Sequence, residues 1–345
     1  MSYKTSGSLL CTASMDKLWQ QVYKTSELKD KYKGVVETPT LGMVDDILTI
    51  QKCSTKSVKM NATVNAFIEG KKLTLSNKKC HRIHVEKKNP KNQTECMPHK
   101  INENDMNESE QEKYLGDLVN SSGTIRKTIE ERKGKGYGIV SEIIAILEEI
   151  PLGRHKLEIG LKLRQAMLIN GILFNSEAWH SVSETELRML EVIDEHLLRA
   201  LVKGQAKTPL EFLYLEAGSI PIRFIIASRC LLYHQTIFQR DEEELTTRIY
   251  TAHLNDPTPG DFVELFAEDF KVIDETCDDQ AIQRTGKVSY EQHIKGEIKT
   301  AALVYLKEMQ QLHLKVKKIQ YKKYPPKMIS SAISLAMKKS TYFLL

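Results

Sequence analysis

Two adjacent carboxylates, Asp45 and Asp46, follow a short apolar run. They put two hard oxygen ligands within reach of one divalent cation. Magnesium favours one or two carboxylates together with substrate phosphates, and two-metal phosphoryl transfer uses such acids to hold an attacking hydroxyl and a leaving phosphate. The same pair also suits an ordinary type I turn with solvated acids. A second group, Cys80, His81, His84, Cys96 and His99, has the composition of a zinc site. Its spacing fits none of the common knuckles, and Pro90 and Pro98 mark a basic, loop-like stretch, so incidental thiols and imidazoles suit it better.

The elements around these residues follow from hydrophobic spacing. Leu41 to Val44 and Ile47 to Ile50 are two short apolar strands that meet at Asp45-Asp46 in a tight turn. A helix over 57–69 follows, with Val58, Ala62 and Ala66 on one stripe, Val64, Phe67 and Ile68 beside it, and Gly70 as C-cap. From about residue 125 the pattern is almost wholly helical. Ser183 with Glu186 forms a capping box, and Leu187, Leu190, Ile193, Leu197, Leu198 and Leu201 trace one face behind it. Pro209 opens a short helix that Gly218 ends, and Pro221 opens the next, which runs to about Gln239. Helical spacing also covers 126–149, 156–175, 243–253, 260–273 and 289–318.

Composition excludes several classes. The chain has 345 residues, 41% hydrophobic and 28% charged, which is globular rather than disordered or fibrous. The formal net charge is only +5, yet it is segregated. Residues 71–100 carry nine Lys or Arg against two acids, and 301–345 carry nine against one, whereas 240–279 carry thirteen acids against three bases. Basic segments flanking an acidic one suit contact with a phosphate backbone as well as simple solvation, and the acids of 240–279 read as a solvated face. No apolar run approaches the roughly 18 residues of a membrane span. The start of the chain lacks the pattern of a secretory signal, and the six scattered cysteines read as reduced thiols.

Taken in order, the motifs resemble the reverse transcriptases of non-long-terminal-repeat retrotransposons, most closely the Dong-type branch. Ser8 to Leu18 is similar to the end of the template-handling motif and its helix, and Gly42-Met43-Val44-Asp45-Asp46 to the apolar strand that ends in two catalytic aspartates. Lys72 to Cys80 looks like the next palm motif, and Lys113-Tyr114-Leu115-Gly116-Asp117 like the strand that grips the primer. Phe174 to Trp179, Thr208-Pro209 and Leu213 to Pro221 resemble the thumb. The resemblance spans roughly residues 8 to 310.

The resemblance implies an α+β fold: a partial palm with a short antiparallel sheet and helices over 1–122, a helical thumb over 123–240, and a helical extension with a basic tail over 241–345. The implied activity is RNA-directed DNA synthesis on an RNA template and a DNA primer. Asp45 and Asp46 would ligate two Mg2+ ions, Lys79 (or its neighbour Lys78) would assist at the triphosphate, and Tyr114, Leu115 and Gly116 would hold the primer end. On the thumb, Lys156, Lys162 and Arg164 are candidates for the duplex backbone, and Trp179 suits the thumb base or the core equally.

The family pattern also contains a third aspartate upstream, which nothing before Gly7 supplies, and Asp16 falls on the helix after the motif. No cysteine follows Cys277, so the family's knuckle and nuclease are not expected here. The expectation is therefore a chain inactive alone, with a noncatalytic remnant that binds RNA or RNA·DNA duplex as the alternative. Copying at a chromosomal target implies a nuclear protein, and otherwise a cytoplasmic one.

Overall fold

The computed structural model describes residues 30–32, 36–38, 40–43, 46–50, 54–72, 76, 79–85, 100–101, 104–151, 154–179, 182–257, 264, 268–269, 271–272 and 287–317. These residues are α+β and mostly helical. The chain divides into two compact units whose main boundary falls between Thr124 and Ile125. No helix among the described residues is long and apolar enough to cross a membrane.

The first unit is built from hairpins and one helix. Strand β1 (Asp30–Tyr32) pairs antiparallel with β2 (Val36–Thr38), and β3 (Thr40–Met43) with β4 (Asp46–Thr49). Helix α1 (Ser54–Gly70) follows. Then β5 (His81–Arg82) pairs in parallel with β8 (Asn107–Glu108), β6 (Lys100–Ile101) pairs with β7 (Asn104–Asp105), and β9 (Gln111–Tyr114) with β10 (Asp117–Asn120). Among the described residues these are five separate two-stranded ladders rather than one sheet. Strands of two to four residues, polar along much of their length, offer little apolar face for a wider sheet to bury.

On α1 the buried stripe is Met60, Val64, Phe67 and Ile68, while Ala62 and Ala66 are exposed. The spacing of four, three and one is helical, but the face that turns inward is the one with large side chains. An alanine methyl removes too little apolar area from water to compete with methionine and phenylalanine. Leu115 and Gly116, at the β9–β10 tip, have φ of +47° and +93°, so both central positions of this two-residue hairpin lie on the left-handed side, as a type I′ turn requires. Gly116 meets that demand without cost, whereas Leu115 does not.

The second unit is a helical assembly. Helix α2 (Arg126–Glu148) packs against α4 (Glu184–Val202), burying Val140, Ile143 and Leu147 with Leu190, Ile193 and Leu197 in one core. The helices approach closely at Gly136, where a Cβ would stand 3.0 Å from two Ile193 methyl groups and 3.1 Å from Ile172. Between them run α3 (Arg154–Leu163), a π-helical turn over Arg164–Ile169, and the helical residues Asn170–Ile172. The amide of Asn170 bonds the carbonyl of Gln165, five residues back. One residue more per turn brings Arg164, Leu168 and Ile169 to the interior together.

Helix α4 begins as its sequence dictates. The Ser183 hydroxyl accepts the Glu186 amide, and the Glu186 carboxylate accepts the Ser183 amide at 2.9 Å, a complete capping box. Helix α5 (Leu210–Ala217) ends at Gly218, whose φ of +63° turns the chain toward Pro221 and α6 (Ile222–Phe238). Helix α7 (Leu245–Asn255) adds Tyr250 to the core.

Helix α8 (Lys287–Lys317) lies on α5 and α6 through Tyr290, Ile294, Ile298, Ala302 and Leu306, one residue every four. That row is the ridge one helix lays into another's groove. This part of the stretch that the resemblance sets apart as an extension therefore shares its core with α5 and α6. Arg223 reinforces this junction: it pairs with Glu184 at 3.0 Å and Glu191 at 3.3 Å, and its guanidinium stacks on the Tyr305 ring.

Candidate functional site

Asp45 lies outside the described residues. Asp46 opens β4 opposite Met43, so it heads the return strand, which begins one position earlier than the sequence suggests. In the same register Leu41 stands opposite Leu48 and Gly42 opposite Ile47. Among the described residues no three His, Cys, Asp or Glu side chains converge on a point that could hold a metal. A cation here would rest on Asp45 and Asp46, with water and nucleotide phosphates as its other ligands. Magnesium tolerates that donor set well.

Lys79 is exposed in a tight turn closed by its own amide, which donates to the Ser76 carbonyl at 2.8 Å. Lys78 lies outside the described residues. The 113–117 motif folds as the β9–β10 hairpin: Tyr114 is half-buried opposite Asp117, and Leu115 projects at the tip, 43% exposed.

Cys80, His81 and His84, the described members of the Cys and His cluster, form no group that could hold a metal. His81 pairs through Nδ1 with Glu112 at 2.9 Å, Cys80 is half-buried, and His84 is exposed. Burial pushes the Cys80 thiol above its ordinary pKa, away from the thiolate that metals prefer. Cys96 and His99 lie outside the described residues.

The three candidate cations, Lys156, Lys162 and Arg164, separate by environment. Lys162 is exposed, whereas Lys156 is half-buried and donates from Nζ to the Ile150 carbonyl at 3.2 Å, capping the end of α2. Arg164 corrects the expectation of a phosphate contact. Its side chain is 5% exposed, its Nε and Nη2 each donate to Asp194 at 2.6 Å, and Nη2 also reaches the Ile220 carbonyl at 3.2 Å. The Tyr214 hydroxyl donates to the same carboxylate at 2.8 Å. Burial alone would lower the Arg164 pKa, and the Asp194 carboxylate more than offsets it, so the net shift is upward. Burial likewise drives the Tyr214 phenol well above its usual value. This guanidinium serves the fold, because a buried cation is stable only when fully paired.

Trp179 belongs to the core of the second unit. Asp269 departs from the solvated face expected of its segment. Burial raises its pKa to about 7, a shift that its hydrogen bond with the Cys230 thiol partly opposes and neighbouring Glu268 adds to. By contrast Asp241, Glu242, Glu243 and Glu244 are exposed.

One further feature was not singled out by spacing. The end of the π-helical region and α6 form an open cleft of about 450 Å³, lined by Asn170, Phe174, Glu177, Arg229 and Tyr233 among others. Phe174 and Glu177 sit within the thumb-like motif, but their convergence with Arg229, more than fifty residues on, has no local signature. No family model, curated protein or solved structure matches this chain.

Proposed function

We propose that the chain is the palm and thumb portion of a reverse transcriptase derived from a non-long-terminal-repeat retrotransposon, engaging an RNA template paired with a DNA primer. The observation that carries this is the ordered series of motifs, in which Gly42 to Asp46 precedes Lys72 to Cys80, Lys113 to Asp117 and the helical motifs of 174–221. Support comes from two hairpins: β3–β4, whose return strand opens on Asp46, and β9–β10, whose tip is Leu115-Gly116.

In this assignment Asp45 and Asp46 hold magnesium, which when bound neutralises charge on the reacting phosphates. Lys79 meets the triphosphate as an exposed cation. Tyr114, Leu115 and Gly116 position the primer end by packing, and Lys162 contributes to backbone contact, which gives affinity without sequence preference. Arg164 takes no part in that contact.

A second function, noncatalytic retention of RNA or RNA·DNA duplex, is favoured by the exposed Lys79 and Lys162 and needs only charge and a folded scaffold. One experiment addresses both. Purified chain is titrated with an RNA·DNA duplex at several salt concentrations, then assayed for primer extension with Mg2+. Retention that weakens steeply with salt is expected. Extension abolished by Asp45→Asn and Asp46→Asn assigns catalysis, retention without extension assigns the binding function, and no retention at low salt by a folded chain overturns both.

A further inference from the structure

The cleft between the π-helical region and α6 pairs an aromatic platform with a cation. Phe174 is 48% exposed, and the guanidinium of Arg132, itself buried, stands 5.5 Å from its ring centroid. A cation behind the ring draws on its π-electrons, which prepares the other face to stack on a second flat ring. Tyr233 lines the same cleft. Its volume, about 450 Å³, falls within the roughly 300–1,000 Å³ range of small-molecule sites.

Arg229 is fixed in this wall. Nη1 donates to the Leu173 carbonyl and, at 3.4 Å, to the Ser176 hydroxyl, and Nη2 donates to the Asn170 side-chain oxygen at 3.0 Å. A guanidinium has five N–H donors, so this fork is oriented without being used up. Its partners are neutral: among the described residues Arg229 makes no ion pair. Partial burial therefore lowers its pKa, and only the more distant field of Glu177 and Cys230 opposes the shift. A held, partly desolvated guanidinium without a carboxylate partner is matched by an anion with a planar or tetrahedral array of oxygens. Glu177, also in the lining, offers acceptor oxygens to amine hydrogens.

We infer that this cleft binds one nucleotide unit, its base stacked on Phe174, its phosphate on Arg229, and an amine on the base edge donating to Glu177. Its source is either a free mononucleotide or an unpaired residue of a strand, since both present the same groups. This rests on the nucleic-acid function proposed above, and it adds a single-stranded subsite remote in sequence from the Asp45-Asp46 motif. Cytosine offers an amine where uracil has a carbonyl oxygen, so CMP should bind more tightly than UMP.

Isothermal titration of the full chain with CMP, UMP, inorganic phosphate, O-phosphotyrosine and a cytidine tetranucleotide tests the assignment. Expected are CMP binding at least severalfold tighter than UMP, a tenfold loss in Phe174→Leu, and loss of the CMP preference in Glu177→Gln. Arg229→Lys should weaken phosphate-bearing ligands while circular dichroism reports an intact fold. A tetranucleotide that binds tighter than CMP assigns the site to a strand, and equal affinity assigns it to the free nucleotide. Unchanged CMP affinity in both Phe174→Leu and Glu177→Gln overturns the inference, as does binding of O-phosphotyrosine but of no nucleotide, which would point to a peptide partner. If duplex retention fails in every form while CMP still binds, the reverse-transcriptase assignment falls and the cleft stands.

Discussion

The guanidinium of Arg164 and the carboxylate of Asp194 face each other through two parallel hydrogen bonds of 2.6 Å, thirty residues apart in sequence and both buried. The pair ties the π-helical turn to α4, and Tyr214 on α5 completes the carboxylate's shell. Removing either partner leaves a charge in the core. Asp194→Leu or Arg164→Met should each cost about 3–5 kcal/mol, while the double replacement Arg164→Met with Asp194→Leu should cost less than the sum. Urea denaturation of the four forms checks this, and additive losses would show that the two groups are not coupled.

Gly134 and Gly136 lie on one helix but should respond oppositely to alanine. At Gly134 an added methyl meets nothing within 4 Å, and Gly134→Ala should stabilise by roughly 1 kcal/mol through helix propensity alone. At Gly136 the methyl would press on Ile193 and Ile172, so Gly136→Ala should lose that gain and destabilise. Thermal unfolding of both variants separates close packing from propensity.

Two acid–base groups, the buried His234 and the half-buried Asp269, set opposing pH dependences. Burial lowers the His234 pKa from 6.5 to about 3. Below pH 6.5 the unfolded chain takes up a proton that the folded chain refuses, so stability falls as pH drops through that window, by at most about 1.4 kcal/mol per unit. Asp269 acts in reverse. Its carboxyl stays protonated up to about pH 7 in the fold against 3.8 unfolded, so its contribution is full at low pH and is lost as pH rises toward 7. His234→Gln should flatten the acid limb of stability against pH, and Asp269→Asn should raise stability at pH 7.5 more than at pH 4. Denaturation at both pH values checks each sign.

Leu115 adopts a φ of +47°, an uncommon conformation for a residue with a branched side chain. Leu115→Asn should relieve on the order of 1 kcal/mol, because Asn-Gly is the preferred pair in this turn. Slower amide exchange at the β9–β10 ladder is the expected readout. If the leucine serves the primer, the same variant should lower extension or duplex retention while the hairpin grows more stable.

Periodicity in the sequence determined much of the second unit. The Ser183 and Glu186 pair placed the start of α4 to the residue, and Leu187 through Leu198 named its buried face, because a cap and a stripe are interactions between neighbours within a few turns. The Asp45-Asp46 hairpin was legible for the same reason, as two apolar strands around a short connection, whereas 113–117 was read as a single strand and its pairing with Asp117–Asn120 came only with the structure. The first unit was read less well: Ala62 and Ala66 share a helical stripe but lost the interior to Met60 and Phe67, a choice made by side-chain volume against whatever the helix covers.

Only the tertiary structure decided what became of the charges. Arg164 has the sequence context of an exposed cation, yet a π-helical turn brings it to Asp194. Asp269 sits in an acidic run, yet it is half-buried beside Cys230. Arg229 faces Phe174 and Glu177 across more than fifty residues. Local pattern fixes the hydrogen bonds and apolar contacts that a segment makes with itself. Whether a charge meets water, a counter-ion or an open cleft depends on partners that chain closure alone brings near.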